Sequence, residues 1–369
     1  MRKLLIPLIA SALLCLSSSI SAMNVTFVNP GKQGERFWDM VTETMQAAAN
    51  DFDIDLEVIY AERNRVRMTE LGIALTKRQN PPEYLILVNE EQAAETILLA
   101  TADKNIKVLM LLNDFLPDQS KRVGLPGENP NLIGAVVPDN FNAGQRMMNA
   151  LLSCAKQKHQ APPFHMLAIG GDQLTPASIE RNQGALDVIA KNPEITLDRF
   201  LYANWNQQEA KQLSSNYLQW AKRNNISPVG IWAANDPIAM GARDALPEQG
   251  LVAGQDLCLV GLNWSAQGLQ MVKNGEMLLT DGGHFLAGAW SMVLIQDYHL
   301  NSRKDKTTPL GQVRFQMQSI NQQNIDQYLN KLGDENWNKI DFTGFSATSK
   351  RIKDAYDFSL ERVFKQIVE

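Results

Sequence analysis

Histidine and cysteine are scarce in this chain, with four and three in 369 residues, and the few present are widely scattered. Histidines 159, 165, 284 and 299 have no spacing that would gather them on a metal ion. Basic residues are not in excess either: 35 Lys and Arg stand against 40 Asp and Glu, which excludes the positive surface that nucleic acid requires. After residue 22 there is no apolar run approaching the ~20 residues of a membrane span. Catalytic signatures are missing as well. There is no G-x-x-x-x-G-K-[ST] loop, G-x-S-x-G elbow or H-E-x-x-H helix, and "GKQGER" (31–36) has two glycines without the phosphate-cradling pattern. Glu180 and Arg181 are adjacent, so on a helix they point about 100 degrees apart and cannot face one substrate together. These absences predict a protein that is not an enzyme and has no metal or cofactor.

The first 22 residues have the form of an export signal: Arg2 and Lys3 as a basic head, an apolar run interrupted by Pro7, and Ser21-Ala22 at a cleavage position. Cys15 follows Leu14, where a lipoprotein signal requires a small residue, so lipidation is not expected. The mature chain should begin at Met23 and reside in the periplasm. Without Arg2 and Lys3 the basic count falls from 35 to 33 against 40 acidic residues, a net charge of -7 over 347 residues. That length exceeds the usual single domain and predicts two lobes. Cys154 and Cys258 remain in a compartment that permits disulfides, both in apolar surroundings. Buried free thiols and one bridge are both open, since spacing does not separate them.

Short apolar runs alternate with helix-period segments. The runs fall at 24–28, 54–60, 83–88, 107–112 and 132–137, then at 164–170, 199–203, 229–234, 256–262 and 277–282. Several are continuously apolar, as strands buried on both faces of a parallel sheet should be. Helical stretches at 36–51, 65–79, 141–157, 176–191, 207–224 and 284–300 supply the crossovers. The pattern predicts an α/β protein of two doubly wound parallel-sheet lobes. Near the end, Ile352, Ala355, Tyr356, Leu360, Val363, Phe364 and Ile367 recur at helical spacing, which predicts an amphipathic C-terminal helix over 346–369 packed on the body.

Ligands of such sheets gather beyond the carboxyl ends of the strands. Polar side chains recur there: Asn113 and Asp114, Asp139 and Asn140, Asn235 and Asp236, Asn263, and His284, with Arg181 on the helix after Gly170-Gly171. Each alone would be an ordinary cap, and Asp236 reads as an N-cap. Phe37 and Trp38 open the first helix after the Gly31-to-Gly34 loop, with two readings: rings capping the core, or a flat platform at a cleft rim. Together with Trp232 and Trp264 they supply aromatic faces beside amide, carboxylate and guanidinium groups. That combination suits a sugar or polyol, whose C–H faces lie on rings while its hydroxyls take planar partners.

Four stretches, "PDNFNAG" (138–144), "IERNQGALDVI" (179–189), "WAANDPIAMGA" (232–242) and "LVGLN" (259–263), occur in one order. In these the sequence resembles the periplasmic sugar-binding proteins of the ribose-, galactose- and autoinducer-2-binding type, which share their fold with the ligand domains of lactose-repressor-like regulators. The resemblance, spanning about 24–318, implies a type I periplasmic binding protein with a three-segment hinge crossing near 138–140, 282–284 and 315–320. It implies a first lobe of 23–138 plus 284–315 and a second of 139–283 plus 316–345. By similarity Phe37 and Trp38 match the aromatic pair of the first loop, Asp114 or Asn113 the polar group after the fourth strand, and Asp139 the hinge. Arg181 matches the arginine that reaches ring and hydroxyl oxygens, and Asn235 the amide of the N-D motif. Asn263 replaces the usual aspartate, and His284 lies near a position often held by Gln. A second ligand-binding arginine of the autoinducer-2 type is not evident near His284.

The resemblance further implies a monomer that closes over a sugar-like ligand and meets the membrane permease of an ABC importer. The alternative is a receptor, for autoinducer-2 or a sugar, that docks on a membrane sensor kinase or other signalling protein.

Overall fold

The computed structural model describes residues 23–158, 161–302, 308–347 and 356–368. The signal-like stretch, Cys15, His159, Ile352 and Ala355 lie outside the described residues. The apolar runs become strands: β1 (Met23–Asn29), β2 (Ile54–Tyr60), β3 (Tyr84–Leu87), β4 (Lys107–Leu111) and β5 (Leu132–Pro138) in the first lobe. In the second are β6 (Phe164–Gly170), β7 (Ile195–Tyr202), β8 (Gly230–Ala233), β9 (Cys258–Leu262) and β10 (Leu279–Gly282). Two further strands, β11 (Gly311–Phe315) and β12 (Gln318–Asn321), complete sheets of order β11-β5-β4-β3-β1-β2 and β12-β10-β9-β8-β6-β7. All pairings are parallel except β12 on β10. Ten strands were expected. The last two are polar edge strands, and β11 alternates between exposed and covered residues, so a search for continuous apolar runs passes over both.

The first-lobe helices are α1 (Arg36–Asp51), α2 (Arg65–Thr76), α3 (Ala94–Leu99) and α4 (Pro117–Val123). Those of the second lobe are α5 (Asn140–Lys158), α6 (Pro176–Lys191), α7 (Gln207–Arg223), α8 (Asp236–Ala245) and α9 (Ala266–Lys273). Then come α10 (Ala287–Ser302) in the first lobe, α11 (Ile325–Leu332) beside β12, and α12 (Leu360–Lys365). Side chains fix several starts: Asn64 accepts from Arg67 N–H, Asn206 from Glu209 N–H, Asn235 from Ile238 N–H and Ser265 from Gly268 N–H. Gly144 and Gly184 bring α5 and α6 into backbone contact. A Cβ at either would stand 2.0 Å from a carbonyl oxygen of the facing helix. This close crossing is what seats Arg181 of α6 against Asn140 of α5.

The chain passes between the sheets after β5, after β10 and between β11 and β12, and Arg146 ties these passages together. Its guanidinium donates to Asp139 at 2.8 Å and twice to Asp281 at 2.9 Å. Asp139 also accepts from Met317 N–H at 2.6 Å, and Asp281 from the Ser319 hydroxyl at 2.7 Å. Asp139 and Asp281 are both buried and share this one arginine, so a single guanidinium holds two carboxylates at the hinge.

Two expectations for the C-terminal part are corrected. Residues 337–347 do not stay with the second lobe but return to α1 and α10 of the first: Trp337 donates to Glu43 at 3.0 Å, and Phe342 N–H to Asp51 at 2.9 Å. This makes a fourth passage between the lobes. Nor is 346–369 one helix, because Ser359 caps a new start for the six-residue α12, and Ile367 forms a β-bridge with Ile340. Trp290 is covered by Phe342, Phe345 and Phe358, the last stacked on it at 4.4 Å. Asp297 anchors the return through Ser346, Ala347 and Tyr356.

The cysteines are joined. A Cys154–Cys258 disulfide links α5 to β9 within the second lobe, resolving the two readings in favour of the bridge. Among the described residues no helix is long and apolar enough to cross a membrane, and no group of acidic, His or Cys side chains is placed to hold a metal ion.

Candidate functional site

The carboxyl ends of both sheets face each other across a cavity of about 240 Å³. That is below the ~300 to 1,000 Å³ of pockets for drug-sized ligands, so the site suits a small molecule. The first lobe contributes the start of α1 with Phe37 and Trp38, Arg63 before α2, Glu90 after β3, and Leu112-Asn113 after β4. The second contributes Thr175 and Arg181 of the β6–α6 region, Trp205 after β7, Asn235 after β8 and Asn263 after β9. Asn140 and His284 stand at the hinge passages.

The lobes touch directly. Asn113 Oδ1 accepts from Ala177 N–H at 2.8 Å, Glu91 N–H reaches Thr175 Oγ1 at 3.3 Å, and Arg314 pairs with Glu180 at 3.3 Å. This is a closed arrangement.

Arg181 is the buried cation of the site, 2% exposed. Its guanidinium donates to the Ala234 carbonyl at 2.6 Å and to Asn140 Oδ1 at 2.8 Å, while its Nε has no partner. Burial pulls its pKa down to about 10, against the pull of Asp281 and Glu180, so it is charged at neutral pH. Its guanidinium carbon lies 5.8 Å from the Trp205 ring centre, and Trp205 is held by an indole N–H bond to Asp172 at 2.6 Å. On the opposite wall His284 stacks on Phe37 at 4.5 Å. Burial, followed by the Arg181 charge, holds the His284 pKa well below its ordinary value, so this imidazole is neutral.

Arg63 forms the other charged corner. It donates to Glu35 through Nε at 2.9 Å and through Nη2, and to Glu90 at 2.6 Å, with its guanidinium 5.8 Å from the Trp38 ring. Burial pushes the Glu90 carboxyl up to about 7; Arg63 opposes, and the carboxylates of Asp172, Glu35 and Glu91 add to the rise.

Of the eleven residues the sequence nominated, Phe37, Trp38, Asn113, Arg181, Asn235, Asn263 and His284 line the cavity. Four do not. Asp114 turns outward to Gln312 at 2.8 Å, leaving Asn113 as the inward member of that pair. Asp139 is spent on Arg146 and Met317 at the hinge. Trp232 lies wholly within the second-lobe core beside Phe200, because its position on β8 directs it under the sheet. Trp264 fills the hinge core against Tyr328 and Phe285 and donates to the Gln318 carbonyl. Gly282 and Gly283 are the surfaces it packs on, since a Cβ at either would meet its ring within 3 Å.

Arg63, Glu90, Asn140 and Trp205 also line the cavity and were not nominated as site residues. Glu90, Trp205 and Asn140 follow β3, β7 and β5, so the strand-end rule reaches them. "NEEQ" and "ANWNQQ" look like ordinary polar turns. Arg63 follows β2 in the same way, and its pairing with Glu35 and Glu90 holds it at the cavity.

A family model described as "Periplasmic binding protein domain" matches residues 25–298. A crystal structure of a periplasmic sugar-binding protein from Pseudomonas fluorescens aligns with a TM-score of 0.81 and 30% identity, covering 92% of this chain and 98% of that one. A xylitol-binding protein of Mycolicibacterium smegmatis is 26% identical over 201 residues, 54% of this chain and 53% of that protein, so the match spans about half of that relative's length. The periplasmic component of an arabinose ABC transporter from Shewanella sp. ANA-3, bound to L-arabinofuranose, has the same fold. It aligns at a TM-score of 0.71 and 18% identity, covering 84% of this chain and 96% of that one.

Proposed function

Because this chain belongs to the periplasmic binding protein family, we propose that it captures a small sugar or polyol-like ligand between its lobes and delivers it to the permease of an ABC importer. The observation that carries this reading is the two-sided cavity. Phe37 and His284 offer ring faces from one side, while Arg181, Asn235 and Trp205 offer a guanidinium, an amide and a second ring from the other. A polyol is amphipathic in the same way, with C–H faces and a rim of hydroxyls. Ligand bridging both walls binds tighter to the closed form than to the open one, so binding drives closure. Closure presents one composite surface to the membrane partner. Residues 1–22 would direct export to the periplasm and be removed.

The xylitol of one relative and the arabinofuranose of another make pentitols and pentoses the first candidates. A thermal-shift screen against monosaccharides, polyols and autoinducer-2 tests the reading. At least one compound should raise the melting temperature, since a ligand that binds only the native state stabilises it. A panel without any stabilising member would contradict it.

A further inference from the structure

Three of the cavity amides are oriented by bonds that leave no choice of flip. Asn113 Oδ1 accepts from Ala177 N–H, Asn235 Oδ1 from Ile238 N–H, and Asn140 Oδ1 from Arg181. In each case the partner is a donor, so the oxygen is consumed and the NH₂ remains. Among the described residues none of these three NH₂ groups has a protein partner, and neither does Arg181 Nε. The cavity therefore offers donors.

Acceptors are few. The two carboxylates in the wall, Glu35 and Glu90, are both engaged by Arg63. Arg181 has no carboxylate in contact, because the two that act on its charge from a distance are bonded to other arginines: Asp281 to Arg146, and Glu180 to Arg314. A ligand carboxylate would give this guanidinium the direct, charge-assisted partner that the protein does not supply. A hydroxyl also brings a proton that needs an acceptor, whereas a carboxylate brings acceptor oxygens only.

We propose that the ligand of this site is a small sugar acid, an aldonic or uronic acid, with its carboxylate set against Arg181, Asn140 and Asn235. The inference rests on the proposed function and narrows its substrate class. Asn263 and His284 can each donate or accept, and they serve the hydroxyl end together with the free oxygen of Glu90. The ring pair Phe37–His284 takes the C–H face.

Titration calorimetry on the full protein tests this with matched pairs: D-xylose, xylitol and D-xylonate; L-arabinose and L-arabinonate; D-galactose, D-galactonate and D-galacturonate. At least one acid should bind about 100-fold more tightly than its neutral counterpart. The Asn235→Asp variant keeps the oxygen that caps Ile238 and replaces the NH₂ by a carboxylate oxygen. It should lose that acid by about 100-fold or more. Asn140→Asp, which keeps the bond from Arg181 and replaces the NH₂ by a carboxylate oxygen, is the second variant should the first fail to fold, and it should weaken the acid in the same direction. Neutral ligands binding as tightly as their acids would overturn the inference and leave the sugar reading standing. Unchanged affinity for the acid in a folded variant would also overturn it. An entire panel without binding would overturn both the inference and the reading it rests on.

Discussion

The Asn113 side-chain carbonyl accepts the backbone N–H of Ala177 at 2.8 Å, joining the loop after β4 to the start of α6 across the mouth of the cleft. The same residue lines the cavity. One side chain thus reports on closure and on ligand at once. Asn113→Ala should lower affinity by about 10-fold or more, because a lost hydrogen bond of this kind is worth about 1 to 2 kcal/mol. Small-angle scattering with the same ligand present should give a larger radius of gyration for the variant than for the parent. An unchanged radius would mean that this bond does not hold the lobes together.

Arg181→Ala should weaken the ligand at least about 100-fold with folding intact, the equivalent of about 2.7 kcal/mol. The truncation also strips partners from the Ala234 carbonyl and Asn140, so circular dichroism must accompany the calorimetry. Undiminished affinity in the folded variant would remove Arg181 from the binding machinery.

Most of the fold is legible in the sequence because parallel strands buried on both faces must be continuously apolar, and β4 and β5 are wholly so apart from Lys107. Edge strands carry no such requirement, which hides β11 and β12. The site is legible to the extent that it obeys the strand-end rule: Asn235 follows directly from it, whereas Arg181, inside α6, is pointed to by the family resemblance. Which of two neighbours turns inward depends on local backbone direction that residue types do not encode, as with Asn113 and Asp114. Tryptophan is ambiguous for a similar reason. Trp232 and Trp264 fill core, while Trp205, in a plain polar turn, reaches the cavity.

Glu90 should make stability depend on pH. Its carboxyl is raised, first by burial, to about 7, above the 4.5 of an ordinary glutamate. Between those values the folded state keeps a proton that the unfolded chain has released. Its contribution is therefore full below about pH 4.5 and is lost as pH rises through 7, amounting to about 3 kcal/mol. Asp236, raised by burial to about 6, acts in the same direction at lower pH. In urea titrations, Glu90→Gln should gain stability relative to the parent as pH rises from about 5 to 7.5. A difference independent of pH would contradict the assignment.

The Cys154–Cys258 bridge closes a sequence separation of 104 residues inside one lobe. Replacing both cysteines with serine should cost about 2 to 4 kcal/mol. The urea midpoint should fall accordingly, and the variant should respond to dithiothreitol less than the parent does. Equal midpoints for parent and variant would show that the bridge adds nothing to stability.

A crystal structure grown with the compound that most raises the melting temperature tests the account most directly. It should show that compound between the lobes, stacked on Phe37 and hydrogen-bonded to Arg181 and Asn235. Electron density for it elsewhere, with these side chains arranged as here around solvent, would contradict the account.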